Sequence, residues 1–336
     1  MPAPESFGAR DLPNVTSAAL GPEPVIVLRL GSEVLRVALR GATPLRWLVE
    51  VPDGVADVLD GYRDADELAA QDGVRNGIMA PFCNRVADGR YVFDGVAHDL
   101  LPGAADRLIY HGLVRTLPFT VGEVATHDDG ARVTLRCDAL ADGRHPGYPF
   151  AVVVEVTYRL RAGSLEVEIA GCNVGTRAAP FAAGWHPYFR LPGARTTDRL
   201  GLALESSAAI RTDPALLPFP GGAAYGPLGP RGAGWAPVGD AVLDACFVGP
   251  SGGAGPARSV LSDPETGLRL TVEQERGLTH VFTGDTLERG RRASVAIEPV
   301  EAMTDAFNRP DCAEAIRLEP GERRAFRFAV AVSTSG

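Results

Sequence analysis

The chain has 336 residues, 45% of them hydrophobic, enough for a large core that needs no disulfides. Its formal net charge of −9 argues against nucleic-acid and anionic-membrane partners, which favour basic patches. All 33 basic residues are Arg; without lysine there is no Schiff-base aldolase, no pyridoxal phosphate enzyme and no P-loop nucleotidase. No GxGxxG follows a strand, so a dinucleotide-binding unit is unsupported. No run of 18 or more apolar residues occurs, and Met1 to Pro13 lacks the basic-then-apolar order of a signal peptide, so a cytoplasmic protein is expected. Cys83, Cys137, Cys172, Cys246 and Cys312 are scattered and form no CxxC pair, which points to reduced, mostly buried thiols and to no metal site.

In chain order, residues 1–22 carry little pattern and read as a lead-in, with one domain expected over 23–336. Val25–Leu30, Glu33–Leu39 and Leu45–Val51 read as a β meander with short turns. Asp64–Gln71 carries a capping signature, Asp64 with Glu67 three residues on, and predicts a short helix. Asp88-Gly89 and Asp94-Gly95 bracket the strand Arg90–Phe93. Phe119–Ala125 and Arg132–Cys137 form a second hairpin around Asp129-Gly130. The clearest β signal is Val152, Val154, Val156, Tyr158 and Leu160 on one face and Glu155, Thr157 and Arg159 on the other, returning through Ala162-Gly163-Ser164 into Leu165, Val167 and Ile169. Strict period-two alternation on both sides of a tight turn predicts an antiparallel hairpin with one solvated face.

Residues 212–262 are rich in Gly and Pro and read as surface loops with short strands between them. Strands resume at Leu268–Val272, His280–Thr283, Ser294–Pro299 and Ala325–Val332. Long amphipathic helices are missing, and the pattern predicts an all-β fold, a large antiparallel β-sandwich with few short helices.

The densest aromatic cluster is Gly184-Trp185-His186-Pro187-Tyr188-Phe189. It reads as a sugar-binding wall with a proton-transfer group set into it, although a core role fits Trp185 and Tyr188 better than ring stacking. Of the six histidines, His127 and His98 read as hairpin residues facing water and His145 as part of a rigid aromatic turn. His111 precedes Gly112, a residue that permits close approach of backbone or ligand. Glu298 ends an otherwise apolar strand, where a carboxylate is paired, solvent-facing, or partly desolvated and made a stronger base. Asp244 raises the same question. Asn84 and Arg85 stand together in a loop, from which such side chains can fork onto vicinal hydroxyls.

In order along the chain, Pro81-Phe82-Cys83-Asn84-Arg85, His111-Gly112-Leu113, Pro146-Gly147-Tyr148-Pro149-Phe150, Gly184-Trp185-His186-Pro187-Tyr188-Phe189, Leu243-Asp244-Ala245-Cys246-Phe247 and Glu298-Pro299 resemble the motifs of the aldose 1-epimerase (galactose mutarotase) family. Val300-Glu301 departs from the apolar and small hydroxyl residues expected there, and Phe119 stands where a Trp is common. The resemblance implies a galactose mutarotase-like supersandwich with an open cleft and a small-molecule sugar as substrate. It also implies His186, Glu298 and His111 as catalytic residues, with Arg85, Asn84 and Asp244 binding the substrate. Glu298 would be the base for the C1 hydroxyl and His186 the acid for the ring oxygen. His111 would hydrogen-bond near O5 or O1 and hold the developing charge. Such chemistry needs no cofactor and predicts a bell-shaped pH dependence. An epimerase of the same fold acting on a phosphorylated sugar, and a non-catalytic carbohydrate-binding module, remain as alternatives. A glycosidase would need paired carboxylates. Monomer and homodimer are both open.

Overall fold

A computed structural model describes residues 12–229 and 234–334. Three large antiparallel sheets and two two-stranded ribbons carry the described residues. Asn14–Leu20, Glu23–Leu30, Glu33–Ala38, Thr43–Val51 and Gly54–Asp57 form a five-stranded meander in sequence order. A nine-stranded sheet is centred on Arg323–Thr334, which pairs with Ser164–Asn173 on one side and Leu268–Gln274 on the other. An eight-stranded sheet carries Asp244–Val248, Leu278–Phe282, Val295–Val300, Gly184–His186 and Gly77–Met79 as successive neighbours. The one α-helix among the described residues is Ala65–Ala70, capped by Asp64, whose side chain accepts from the Glu67 amide at 2.8 Å.

Residues 14–20, read from sequence as part of a lead-in, form an edge strand instead, paired with Glu23–Leu30 from Asn14↔Arg29 to Leu20↔Glu23. Its sequence pattern is weak because the edge is largely half-buried or exposed, so its residues need not alternate cleanly. The remainder of the expected lead-in, residues 1–11, lies outside the described residues. The expected hairpin at Val152–Arg161 and Ser164–Asn173 forms in one unbroken register from Val152↔Asn173 to Arg161↔Ser164.

Alternation along the strands decides which side chains enter the core. On Gly184–His186, Trp185 turns inward and is fully buried. It stacks on Phe328 of the nine-stranded sheet at 5.7 Å between ring centroids, and its indole N–H donates to the Asn76 carbonyl at 3.0 Å. Trp185 therefore ties two sheets together and is a core residue. His186, one residue on, points to the opposite face. On Val295–Val300, Ile297 belongs to the main core, while Glu298 occupies the other face of the pleat. Cys83, Cys137, Cys246 and Cys312 are buried free thiols, and Cys172 is half-buried.

Candidate active site

The site is a row of side chains across the eight-stranded sheet. The register Gly184↔Val300 and Tyr188↔Ala296 sets His186 opposite Glu298. On the far side, Glu298 pairs with His280, and His280 with Cys246. Residues opposite one another in antiparallel strands share a face. His186, Glu298, His280 and, two residues from Cys246, Asp244 therefore converge by strand register alone.

His186 Nε2 lies 3.3 Å from Glu298 Oε1, with both side chains almost wholly buried. His186 also stacks on Tyr188 at 5.0 Å between centroids, and Tyr188 is anchored by its hydroxyl, which donates to the Gly73 carbonyl at 2.9 Å. The His111 ring meets His186 edge-on at 4.9 Å. A polar cleft of about 260 Å³ opens over these residues. Asn84, Arg85, Tyr110, His111 and Asp244 line one part of it, and Val74, Tyr188, Phe282 and Leu287 give it an apolar wall.

Two irregular loops bring His111, Asn84 and Arg85 to this row. Asn84 and His111 adopt positive φ of 52° and 60°. The His111 amide donates to the Asn84 carbonyl at 2.9 Å, joining the loops. Gly112 must be glycine: at φ 74° a Cβ there would lie 2.2 Å from the Ala80 carbonyl oxygen. The Asn84 side-chain oxygen accepts from the Arg85 amide at 2.8 Å and from its guanidinium at 3.2 Å, which aims the arginine. Behind the loop, the Asp305 amide donates to the Arg85 carbonyl at 2.8 Å.

Burial dominates the electrostatics. It pushes Glu298 from 4.5 up to about 8, against the opposing pull of His280. It pushes His186 from 6.5 down to about 3, with the nearby His280 charge adding to the effect. His111 is likewise held far below the usual imidazole range by burial and then by His186. Its Nδ1 lies 2.8 Å from the Met79 sulfur. A thioether can only accept, so Nδ1 carries the ring proton and Nε2 is left as an acceptor. His280 behaves oppositely. Burial disfavours its charge, but the Glu298 carboxylate, when ionised, and the hydrogen bond to Asp244 outweigh it and hold the ring well above the usual imidazole range. His280 Nε2 donates to Asp244 Oδ1 at 2.8 Å. Partial burial raises the Asp244 carboxyl, but the His280 bond holds it below its ordinary range.

All six residues expected from sequence thus line one cleft: His186, Glu298, His111, Arg85, Asn84 and Asp244. His280 joins them without having been singled out. The signal was available, since His280 interrupts the apolar strand Leu278–Phe282 as Glu298 interrupts Val295–Val300. Tyr188, open between wall and core, is both: fully buried and part of the cleft lining. No group of three or more His, Cys, Asp or Glu with metal-binding geometry occurs among the described residues. No helix there is long and apolar enough to cross a membrane.

A buried imidazole–carboxylate pair in a polar cleft, carried on a β-sandwich, sets a group able to donate a proton beside one able to accept it. The chain matches the family described as aldose 1-epimerase over residues 24–331. It is 34% identical over 113 residues to the uncharacterized protein YihR of Escherichia coli (strain K12), covering 33% of this chain and 34% of that protein. It is 27% identical over 149 residues to the uncharacterized protein YphB of the same organism, covering 40% and 46%. The matched segments thus span less than half the length of either curated relative. Solved structures match along nearly their whole length. A galactose mutarotase-like protein from Clostridium acetobutylicum superposes with a TM-score of 0.81 at 14% identity, covering 96% of this chain and 99% of that one. The galactose 1-epimerase from Lactobacillus acidophilus superposes with a TM-score of 0.74 at 16% identity, covering 97% and 100%. At these identities the likeness shows the fold. The chain belongs to the aldose 1-epimerase family, isomerases that act on carbohydrates.

Proposed function

We propose that the protein is an aldose 1-epimerase (mutarotase) interconverting the α and β anomers of a free hexose such as glucose or galactose. The observation that carries this reading is the His186–Glu298 pair, 3.3 Å apart and buried at the floor of a polar cleft. Anomer exchange needs one base and one acid, no redox change and no metal. Glu298 accepts the proton of the C1 hydroxyl while His186 donates one to the ring oxygen, so the C1–O5 bond breaks and the aldehyde forms. Rotation about C1–C2 and the reverse proton transfers close the ring on the other face. The protein ends with the protons it started with.

This requires Glu298 ionised and His186 protonated, whereas burial favours the proton on Glu298 in the empty cleft. Both arrangements contain one proton. Transfer across the 3.3 Å gap converts one into the other, and sugar hydroxyls bonded to both groups supply the solvation that the ionic form lacks. A neutral His111 with Nε2 as acceptor takes a hydrogen bond from a sugar hydroxyl near C1, orienting it rather than holding negative charge. Asn84, Arg85 and the free oxygen of Asp244 bind the remaining hydroxyls. Positioned acid–base groups contribute about 10²- to 10⁴-fold each, ample for a reaction that already proceeds in water.

The test is polarimetry of freshly dissolved α-anomers over a panel of hexoses, pentoses and hexose 6-phosphates. Acceleration with free hexoses is the expected result. Sugar binding by calorimetry without acceleration would overturn the reading in favour of a binding module, and acceleration confined to phosphorylated sugars would reassign the substrate.

A further inference from the structure

We propose that His280, locked by Asp244, is a positioning residue for Glu298: a fixed cation on the adjacent strand that allows the buried carboxylate to ionise when sugar is bound. The argument begins with register. His280 is the cross-strand partner of Glu298, so its ring shares the face and the row of the carboxylate. Its Nε2 is committed to Asp244 Oδ1 at 2.8 Å, which fixes the ring plane and ties the proton to that nitrogen. Its side chain is 10% exposed, so its charge acts through protein rather than water.

The groups facing Glu298 come from every element packed against it. They are His186 and Tyr188 from the segment 184–189, His280 from Leu278–Phe282, Asp244 beyond it, and Cys83 from the Arg85 loop. Burial keeps His186 neutral and raises Tyr188 and Cys83, which stay protonated and neutral. Asp244 is an anion and opposes ionisation of Glu298. His280 is thus the cation in this set, and its effect on Glu298 has the sign that a base requires. Asp244 has a double use on this view: one oxygen holds His280 and the other is left for substrate.

The inference rests on the proposed epimerase reaction, and two measurements separate its failure from that of the reaction. The first needs no turnover. Nitrogen-15 NMR of the imidazole rings in the intact protein should find His280 doubly protonated from about pH 5 to 8, the charged state that an Asp-bonded histidine retains, while His111 and His186 are neutral. A neutral His280 at neutral pH overturns the proposal whatever the substrate. The second is kinetic. His280→Gln should lower kcat by about 10- to 100-fold with KM within about twofold, because the ionised base becomes scarcer. Its alkaline limb should move up by about one pH unit, and His280→Lys should bring the limb back toward the wild-type position. A structural role would lower activity without moving the limb. An unmoved limb, or a loss confined to KM, overturns the proposal and makes His280 a sugar ligand. If the wild type accelerates no sugar, the proposed reaction fails while the NMR result still decides the charge on His280.

Discussion

His186 and Glu298 face each other across two antiparallel strands, with the imidazole Nε2 and a carboxylate oxygen 3.3 Å apart and both side chains almost wholly buried. The contact follows from a register in which Gly184 pairs with Val300 and Tyr188 with Ala296. A one-residue slip of that register would separate the pair and turn one of its members toward the core.

The pair should work with a single proton between about pH 3 and 8, the two values that burial gives to His186 and Glu298. Anomerisation should be flat from weakly acidic to neutral pH and fall through an alkaline limb near 8. Rates by polarimetry at constant ionic strength check this. The limb belongs to the coupled pair rather than to either residue alone. Activity undiminished to about pH 10 would contradict a carboxylate raised to about 8.

Replacing Glu298 by Gln should cost about 10²-fold or more in turnover with little loss of sugar affinity. The same change should stabilise the fold at alkaline pH. The folded value of about 8 lies above the ordinary 4.5, so the stability associated with a neutral Glu298 is complete below about 4.5 and lost as pH rises through about 8. Gln cannot ionise. Urea unfolding should therefore show a gain on the order of a few kcal/mol near pH 9 that shrinks toward pH 5. A gain that does not grow with pH would mean that Glu298 is not desolvated.

Glu301 brackets the active row at the end of Val295–Val300. Its amide donates to the Ala183 carbonyl at 2.8 Å, and its carboxylate accepts from the Ala183 amide at 3.0 Å. Arg276 bonds the same carboxylate at 2.6 Å, and Arg324 lies 3.1 Å from it. Glu301→Ala leaves two half-buried arginines without their shared anion and should cost about 3–5 kcal/mol. Chemical denaturation measures it. A loss under about 1 kcal/mol would show the bracket to be ornamental.

Gly112→Ala should destabilise the protein and lower activity together, because the added methyl meets the Ala80 backbone at 2.2 Å and the adjacent His111 must move. Melting temperature and polarimetry measured side by side would test this. A fully active, equally stable variant would remove the constraint assigned to this loop.

Much of this was legible beforehand. The long alternating hairpin at 152–173 was visible because one face is buried and the other solvated, so sequence and burial share a period of two. Asn14–Leu20 was missed because an edge strand buries too little to impose that period. His280 interrupts an apolar strand, as Glu298 does, but what it can do depends on neighbours distant in sequence, Glu298 on one strand and Asp244 on another. Trp185 fits wall or core by sequence, and the Phe328 ring of the second sheet, stacked against it, makes it core.

Residue order by itself determined the all-β character, the turns, the candidate set His111, His186, Glu298, Asn84, Arg85 and Asp244, and the exclusion of lysine chemistry. The all-β character, the turns and the lysine exclusion are local or compositional, carried by hydrophobic period and residue type, whereas the candidate set comes from motifs that resemble those of the family. Tertiary structure decided which candidates meet, at what distance, and with what charge. Strand register put His186, Glu298 and His280 on one row. Desolvation, which depends on everything packed around a group, raised Glu298 and lowered His186, while the neighbouring Glu298 and Asp244 raised His280 against it.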